Sequence, residues 1–319
     1  MTSRRLLLAA ALALPAPRLA AQGGFPNRPL RLLVPFAPGG NSDTLARLIQ
    51  PRMAAVLGQS VVVENRPGAG GALAAGQVAS SPADGHTLLF ESASFVVAQF
   101  INRSVPFDYG SDFAAVGTVA EVPYILAAAR GVNAADLRGY LAAARARDGL
   151  SYGSPGVGSV GHLAGVLLAH RAGVKLEHVP YRGGAEAARD VAAGTLDSAI
   201  ITAGSIKPVV ESGRAVAIAV TATRRGGIEG VPTIAESGFP GFDQTSWNAV
   251  FCRAGTPEPA RRALEAAVDA ATREPDVQSR FAVMGAEPTR AEADALAARV
   301  VRERALIQEL VRETGISLG

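Results

Sequence analysis

The sequence contains little cysteine and lysine and few aromatic residues. These shortages exclude an intrachain disulfide and argue against a nucleic acid partner. The chain contains one cysteine, Cys252, so an intrachain disulfide is excluded, and its apolar neighbours Val250 and Phe251 predict a buried core residue. Lysine occurs only at Lys175 and Lys207, the arginines are dispersed, and aromatic residues make up 5% of the chain. Without basic runs or a base-stacking surface, we expect no nucleic acid partner despite the net charge of +3.

A long apolar run occurs only near the N-terminus. Residues 6–14 are apolar, follow Arg4 and Arg5, and precede the small-residue site 19–21. This pattern predicts a signal peptide over residues 1–21 and an exported mature protein that begins at Gln22. The arginine pair leaves Sec and twin-arginine export open, and Sec is favoured. No later stretch reaches the ~18 apolar residues of a membrane span.

The segment 31–48 sets a pattern that the rest of the chain repeats. An apolar strand at 32–36 leads into the turn 37–40 (APGG), and 41–43 (NSD) then begin a helix. Such a turn presents free backbone N–H groups and the positive end of a helix dipole, which suit an anion. Glycine also serves an ordinary strand-to-helix turn, so the pattern alone leaves both interpretations open.

Further glycine turns follow strands at 65–71, 154–158 and 182–184. The alternation of strands and helices with short loops predicts an α/β fold of two Rossmann-like domains, each with a parallel sheet. We place the crossing between the domains near residue 124 and the return of the chain at 247–251. In open α/β sheets, ligands bind at the carboxyl ends of the strands, where these turns lie.

The turn from Gly156 to Gly161 matches G-x-G-x-x-G between a strand and a helix. Pro155 within the turn, and the lack of an acidic residue about 20 positions later, make a dinucleotide site the less favoured alternative. Anion capture by the same backbone N–H groups is favoured. No lysine follows a glycine turn, so a P-loop is excluded.

Residues with catalytic or metal-binding chemistry are scattered. G-x-S-x-G is absent, and the histidines lack metal-ligand spacing: His86, His162, His170 and His178. Asp197 interrupts an apolar strand, so it is either a satisfied buried carboxylate or a residue that faces a cleft. Two similar lobes with neutral glycine turns and no catalytic constellation indicate a non-enzymatic small-anion binding protein. The alternative is an exported α/β enzyme, a hydrolase or dehydrogenase.

Seven segments, in family order from Phe25 to the C-terminus, resemble the periplasmic receptors of tripartite tricarboxylate transporters, also called the Bug family. They are VPFAPGGNSDTLARL, LGQSVVVENRPGAGG, SPADGHTLLF, VPFDYGSDFAAVG, SYGSPGVGSVGHLAG, VPYRGGAEAARDVAAGTLD and VPTIAESGFPGFDQTSWNAVFCRAGTP. The resemblance implies a two-lobed type II periplasmic binding protein fold with a ligand cleft between the lobes. Domain 1 would comprise 22–123 and 237–319, and domain 2 would comprise 124–236.

The resemblance also implies a function and a set of binding residues. A small carboxylate (a di- or tricarboxylate, amino acid or aromatic acid) would be held between the lobes and delivered to transporter membrane subunits. We expect no cofactor or metal, a periplasmic location and a monomer. The residues carried over from the family are Phe36, Pro38, Gly39, Ser42 and Gly70 in lobe 1, Ser154, Gly156, Val157, Gly158 and Ser159 in lobe 2, Asp197 as an acidic position that orients water or an amine, and Ser92 and Tyr181 at the variable end of the cleft.

Overall fold

The computed structural model describes residues 24–101 and 105–315, so the predicted signal peptide over 1–21 lies outside the described residues. Its strands are β1 (Leu30–Val34), β2 (Val61–Asn65), β3 (Thr87–Ser92), β4 (Phe113–Val122), β5 (Tyr124–Ala129), β6 (Leu150–Ser154), β7 (Leu176–Pro180), β8 (Ser198–Thr202), β9 (Ala215–Val220), β10 (Ser246–Arg253) and β11 (Glu287–Pro288). Its helices are α1 (Asn41–Leu57), α2 (Ala72–Ala79), α3 (Phe95–Ile101), α4 (Leu137–Ala146), α5 (Val160–Ala172), α6 (Gly184–Ala193), α7 (Ala203–Glu211), α8 (Glu258–Thr272), α9 (Pro275–Val283) and α10 (Ala293–Thr314).

Two sheets divide the chain into two lobes, as the sequence predicted. Lobe 1 is the six-stranded sheet in the order β11-β4-β10-β3-β1-β2 with its helices, and lobe 2 is the five-stranded sheet in the order β7-β6-β8-β5-β9 with its helices. The strand β1, with the sequence LRLLV, pairs in parallel with β2 and β3. Its apolar run is buried because helices cover both faces of a parallel sheet.

The sheets are mixed, so the prediction of parallel sheets is wrong for β10 and the short β11 in lobe 1 and for β5 in lobe 2. In lobe 1, β10 is antiparallel to β3 and β4, and in lobe 2, β5 is antiparallel to β8 and β9. Each of these strands enters its sheet from the other lobe and therefore runs against its neighbours. A single residue, Pro123, separates β4 from β5. The carboxyl ends of the remaining strands of both sheets consequently meet on either side of this crossing.

The apolar core continues from one lobe into the other. One cluster contains Leu89 and Phe251 of lobe 1 together with Leu126 and Ile200 of lobe 2. Cys252 is fully buried, as its apolar neighbours predicted. No described helix has the length and apolar character required to cross a membrane.

Three helices, α3, α7 and α9, were not predicted from the sequence. The segment after β8, to which the sequence assigned no role, begins α7. A Cβ on Gly204 would lie 2.6 Å from the carbonyl oxygen of Met284, which lies between α9 and β11. Glycine at this position therefore lets lobe 2 pack directly against the backbone of lobe 1.

Candidate ligand-binding site

The structure places most of the predicted site residues along the two facing carboxyl edges. In lobe 1, Phe36, Pro38 and Gly39 follow β1, and Ser42 lies in the first turn of α1. Gly70 lies in the 3₁₀ turn after β2, and Ser92 ends β3. In lobe 2 they end β6 (Ser154), form the turn before α5 (Gly156, Val157, Gly158, Ser159) or follow β7 (Tyr181). Asp197 does not join them.

Asp197 precedes the first residue of β8 and therefore lies at the opposite edge of its sheet. Its Oδ1 lies 2.7 Å from Nη2 of Arg147, and its Oδ2 accepts hydrogen bonds of 3.0 Å from the backbone N–H and the hydroxyl of Ser151. Burial would raise the pKa of Asp197, but these bonds and the Arg147 charge outweigh it and hold the pKa low. Of the two interpretations left open, the structure supports a satisfied carboxylate, and Asp197 is corrected to a structural residue.

The turn before α1 has a type II pattern. Gly40 N–H lies 3.4 Å from the carbonyl oxygen of Ala37, Gly39 has a φ of 79°, and Pro38 occupies the second position. Gly39 N–H donates to Oδ2 of Asp43 at 2.8 Å. Because proline has no N–H and that of Gly39 is taken, this turn offers a ligand neither of its central donors.

Asp43 holds the lobe 1 turn in place. It is 3% exposed and accepts hydrogen bonds from Arg47 at 3.0 Å and from Asn65 Nδ2 at 2.8 Å, in addition to Gly39. Burial would raise its pKa, yet the hydrogen bonds from Arg47, Gly39 and Asn65 together lower it. Asn65 also donates to the carbonyl oxygen of Phe36 at 3.1 Å, so the end of β2 fixes the start of the turn.

The remaining donors of lobe 1 lie in the first turn of α1 and after β3. The N–H groups of Asn41 and Ser42 have no acceptor among the described residues, as expected for a helix start. The buried Ser42 hydroxyl accepts a 2.8 Å hydrogen bond from Asn248 of β10. Ser92 and Ser94 are partly exposed, and their hydroxyl oxygens lie 2.6 Å apart. Sequence reasoning missed Asn248, which lies more than 200 residues away from its partner.

The turn before α5 repeats the geometry of lobe 1. Ser159 N–H donates to the carbonyl oxygen of Gly156 at 3.2 Å, and Gly158 has a φ of 75°. Gly158 N–H donates to Nδ1 of His162 at 3.0 Å, and Ser159 Oγ accepts from His162 N–H at 3.3 Å. Val157 occupies the second position, where its N–H has no acceptor among the described residues. This turn therefore keeps a free donor beside the N-terminus of α5.

Two neutral histidines support the lobe 2 turn. The rings of His162 and His178 stack with centroids 4.0 Å apart, and His178 Nε2 lies 2.7 Å from Ser154 Oγ. Burial lowers the pKa of both, and the nearby His162 contributes to the shift that brings His178 to about 4. At neutral pH neither ring carries a charge, so His162 accepts the Gly158 N–H through an unprotonated Nδ1. The sequence analysis found only that the histidines lack metal-ligand spacing, and it did not pair His162 with His178.

The Ser154–His178 pair does not form a nucleophile and its base. Ser154 is fully buried and also lies 3.0 Å from the carbonyl oxygen of Gly156, to which its hydroxyl can donate. No described carboxylate bonds to His178, and an imidazole with a pKa of about 4 is a weak base at neutral pH. The pair instead ties the end of β6 to β7.

Close packing of α5 against β8 explains why residue 161 is glycine, without a bound nucleotide. A Cβ there would lie 2.0 Å from the carbonyl oxygen of Ile200, so α5 approaches β8 as closely as glycine permits. Gly156 and Gly158 both have positive φ values. The G-x-G-x-x-G pattern is thus explained by the turn and by helix–strand packing.

Tyr181 lies at the edge of the cleft with its hydroxyl turned away along α6. The hydroxyl donates to Oδ2 of Asp190 at 2.7 Å, and its backbone N–H donates to the carbonyl oxygen of Ser154 at 2.9 Å. Burial, followed by this hydrogen bond and the Asp190 charge, raises the pKa of Tyr181 to about 12. Its ring, rather than its hydroxyl, packs beside the lobe 2 turn, close to Gly153.

A cavity of about 400 Å³ lies between the lobes. Lobe 1 lines it with Ala93, which stands between Ser92 and Ser94, and lobe 2 lines it with Val160, the first residue of α5. Further lining residues come from α3, β4, α5, the loop before β10 and α10, and several are charged (Glu121, Arg171, Arg299, Arg302, Glu303). None of the predicted site residues lines this cavity, which they approach only through their chain neighbours Ala93 and Val160. Among the described residues, no group of three or more His, Cys, Asp or Glu side chains is arranged to hold a metal ion.

The model of the tripartite tricarboxylate transporter family receptor matches residues 45–316. The chain belongs to this receptor family. A relative described as a UPF0065 protein in the tcbD-tcbE intergenic region of Pseudomonas sp. (strain P51) is 38% identical over 315 residues, covering 97% of this chain and 94% of the relative. BugT of Bordetella pertussis is 33% identical over 298 residues, covering 92% and 91% of the two chains.

Two solved structures with similar sequences share the fold. Rpa4515 of R. palustris with adipate is 33% identical with a TM-score of 0.82, covering 92% of this chain and 99% of that one. MatC of Rhodopseudomonas palustris with bound malate is 33% identical with a TM-score of 0.79, covering 90% and 100% of the two chains. The predicted two-lobed binding-protein fold is confirmed. Because the family is one of substrate-binding receptors, the prediction that the chain is not an enzyme is also confirmed.

Proposed function

We propose that this receptor binds a small carboxylate between its two lobes and delivers it to the membrane subunits of a tripartite transporter. The observation that carries the proposal is the α5 turn. It combines the free N–H of Val157 with a helix N-terminus, is supported by neutral side chains, and adjoins the interlobe cavity at Val160. The adipate and malate in the related receptors support a carboxylate as ligand.

The donors available to such a ligand are mostly backbone N–H groups. In lobe 2 these are the N–H of Val157 and those of Val160 and Gly161 in the first turn of α5. A helix N-terminus favours a carboxylate because its N–H groups and its dipole act together. With neutral donors predominating, we expect a mono- or dicarboxylate.

The remaining features of the proposal follow from the receptor role. Delivery to a membrane transporter requires the predicted export to the periplasm with removal of residues 1–21, after which the receptor acts as a monomer. We propose lobe limits of 22–123 with 237–319, and 124–236. The first limit rests on the single residue between β4 and β5, and the second on the loop between β9 and β10.

The decisive experiment removes one N–H and keeps the turn. Proline is favoured at the second position of a type II turn and occupies it in lobe 1 as Pro38, so we expect Val157→Pro to keep the turn while it deletes the free donor. Val157→Ala is the matched control, because it shortens the same exposed side chain and keeps the N–H. Both are titrated calorimetrically with dicarboxylates, amino acids and aromatic acids, and NAD is included.

We expect Val157→Pro to weaken binding of the preferred carboxylate by about tenfold, the value of one hydrogen bond to a charged group. Val157→Ala should bind like the wild type. Equal affinity in both variants would reject the Val157 donor. Binding of NAD with no binding of any acid would reject the receptor proposal itself.

A further inference from the structure

Glu91 is a buried carboxylate that takes no part in either glycine turn. It lies next to the last residue of β3, pairs with Ala249 of β10 and is 4% exposed. A charged side chain at such depth requires a partner, because loss of hydration otherwise makes its ionised form costly. No described cation bonds to Glu91 or forms an ion pair with it.

The two oxygens of Glu91 have different surroundings. Oε1 accepts hydrogen bonds from the Ser92 N–H at 2.9 Å, from the Ser94 hydroxyl at 2.8 Å and from the Ser92 hydroxyl at 3.3 Å. Oε2 accepts no hydrogen bond from a described residue, and it is not completely buried. The serines therefore fix the carboxylate and leave one oxygen free.

The free oxygen lies at the carboxyl edge of lobe 1. A Cβ on Gly71 would lie 3.3 Å from Oε2, and 3.5 Å from Pro35. Neither Gly71 nor Pro35 carries a charge. The other titratable group that faces Glu91 is Tyr109, and burial, followed by the charge of Glu91, raises the pKa of its phenol so that it stays neutral. Glu91 is thus the one ionisable carboxylate of this corner among the described residues, and Ala93, two residues on, lines the interlobe cavity.

We propose that Oε2 of Glu91 accepts a hydrogen bond from an ammonium group of the ligand, so that the receptor selects amino acids over the corresponding carboxylates without an amine. This inference rests on the proposed function and deepens it by naming the ligand class. The carboxylate of the ligand binds at the α5 turn of lobe 2, and its ammonium group faces Glu91 in lobe 1.

The charges of the two edges support this orientation. The lobe 1 turn is held by the Asp43 carboxylate and offers neither central N–H to an anion, whereas the lobe 2 turn is held by the neutral His162 and keeps the Val157 donor. An ammonium group also supplies the countercharge that Glu91 lacks. A second carboxylate placed there would bind only to a protonated Glu91.

The pH dependence separates these two ligands. Burial raises the pKa of Glu91 to about 7 against the opposing hydrogen bonds from Ser92 and Ser94. An ammonium ligand needs the ionised form, so its affinity should rise between pH 6 and 8. A ligand that places a carboxylate at Glu91 needs the protonated form, so its affinity should fall over the same range.

The test compares ligands that differ only by the amine. Proteinogenic amino acids and their deaminated counterparts, such as glutamate with glutarate and alanine with propanoate, are titrated calorimetrically into the wild type and Glu91→Gln. The glutamine has the same shape and keeps the acceptor for Ser92 and Ser94. Glu177→Gln, an exposed carboxylate-to-amide change on β7, is the matched control.

We expect the wild type to bind an amino acid more tightly than its deaminated counterpart, with an affinity that rises with pH. Glu91→Gln should weaken that binding by about 10- to 100-fold, the value of a charge-assisted hydrogen bond, and abolish its pH dependence. Glu177→Gln should change neither. The melting temperature of ligand-free Glu91→Gln should equal or exceed that of the wild type, which excludes a folding defect.

The outcomes distinguish this inference from the receptor function. Tight binding of acids without an amine, unchanged or improved in Glu91→Gln, would overturn the role of Glu91 and leave the receptor function standing. Absence of binding by every acid, with or without an amine, would overturn both.

Discussion

The two glycine turns of the receptor share one backbone design and differ in the side chain that supports it. In each, the third residue of a type II turn is a glycine, Gly39 or Gly158, with a φ of 79° or 75°. Its N–H donates to the side chain four residues later, at 2.8 Å to Asp43 and at 3.0 Å to His162. A helix begins within two residues of that glycine in both lobes.

The supporting side chains give the two turns opposite electrostatic character. Asp43 places a negative charge at the N-terminus of α1, and Pro38 removes the remaining central donor of its turn. His162 places a neutral ring at the N-terminus of α5, and Val157 keeps its N–H free. The same backbone therefore makes a turn without a free central donor in lobe 1 and the proposed anion site in lobe 2. The side chain that supports each turn decides how well the adjoining helix N-terminus suits an anion.

Exchanging the supporting side chain should have the largest effect. His162→Asp gives lobe 2 the carboxylate of lobe 1, and we expect the affinity for the tightest-binding carboxylate of the panel to fall by about 100-fold or more, because the added negative charge repels the ligand at close range. Calorimetric titration measures the loss. His162→Asn, whose side-chain oxygen accepts the same N–H without charge, is the control. An unchanged affinity in His162→Asp would place the bound anion elsewhere.

Asp43→Asn tests how strongly lobe 1 depends on its carboxylate. An asparagine accepts from fewer of the donors supplied by Gly39, Arg47 and Asn65, so we expect the free energy of unfolding to fall by about 2 kcal/mol. Urea unfolding at neutral pH measures it. His162→Asn should cost about 1 kcal/mol, because it keeps an acceptor for the Gly158 N–H but loses the stacking on His178. A larger loss of stability in His162→Asn than in Asp43→Asn would contradict the stronger dependence of lobe 1 on its supporting side chain.

Acid should weaken the two turns in different pH ranges. The pKa of His178 falls from 6.5 to about 4 on folding, so the unfolded chain binds the proton first and stability falls as the pH drops from about 6.5 towards 4. The pKa of Asp43 is lowered from 3.8, so its contribution is lost only below about pH 4. As the pH is lowered, we expect amide hydrogen exchange at Gly158 to begin to accelerate at a higher pH than exchange at Gly39.

A substitution separates the contribution of His178 from that of Glu91. Glu91 has a raised pKa, so it contributes stability below its unfolded value of 4.5, and that contribution is lost as the pH rises through about 7. His178→Gln should flatten the loss of stability between pH 6.5 and 4 by about 1 kcal/mol, whereas Glu91→Gln should steepen it and raise stability at pH 8. Urea unfolding across this range checks both signs. If stability depends on pH in the same way in the wild type, His178→Gln and Glu91→Gln, the assigned pKa values are wrong.

Features encoded by neighbouring residues could be predicted from the sequence. The turns at 37–40 and 154–158 require glycine and lie between an apolar strand and a helix, so their position on the sheet edge follows from the local pattern. The directions of β5 and β10 depend on the path between lobes, which no local pattern records. The free oxygen of Glu91 and the bond between Asn248 and Ser42 likewise arise from contacts between distant segments.

Asp197 shows that a residue carried over by family resemblance can lie outside the site. The apolar run 196–201 places this residue inside a strand, where it faces either a core or a cleft. The strand begins one residue later, at Ser198, and parallel neighbours put that end opposite the ligand edge. Asp197 therefore lies at the amino end of β8 under either strand limit, and its ion pair with Arg147 gives it a structural role.

Trp247 is the only tryptophan of the chain, and its position gives the receptor a built-in optical probe. The residue is fully buried, its carbonyl oxygen accepts the N–H of Ala93 at 2.9 Å, and its indole N–H donates to Glu303 of α10 at 2.9 Å. The indole thus joins the Glu91–Ser94 corner to the helix that lines the cavity. Its fluorescence spectrum reports the packing and polarity of that one place, so the kinetics of ligand capture can be followed by stopped flow in the unlabelled protein.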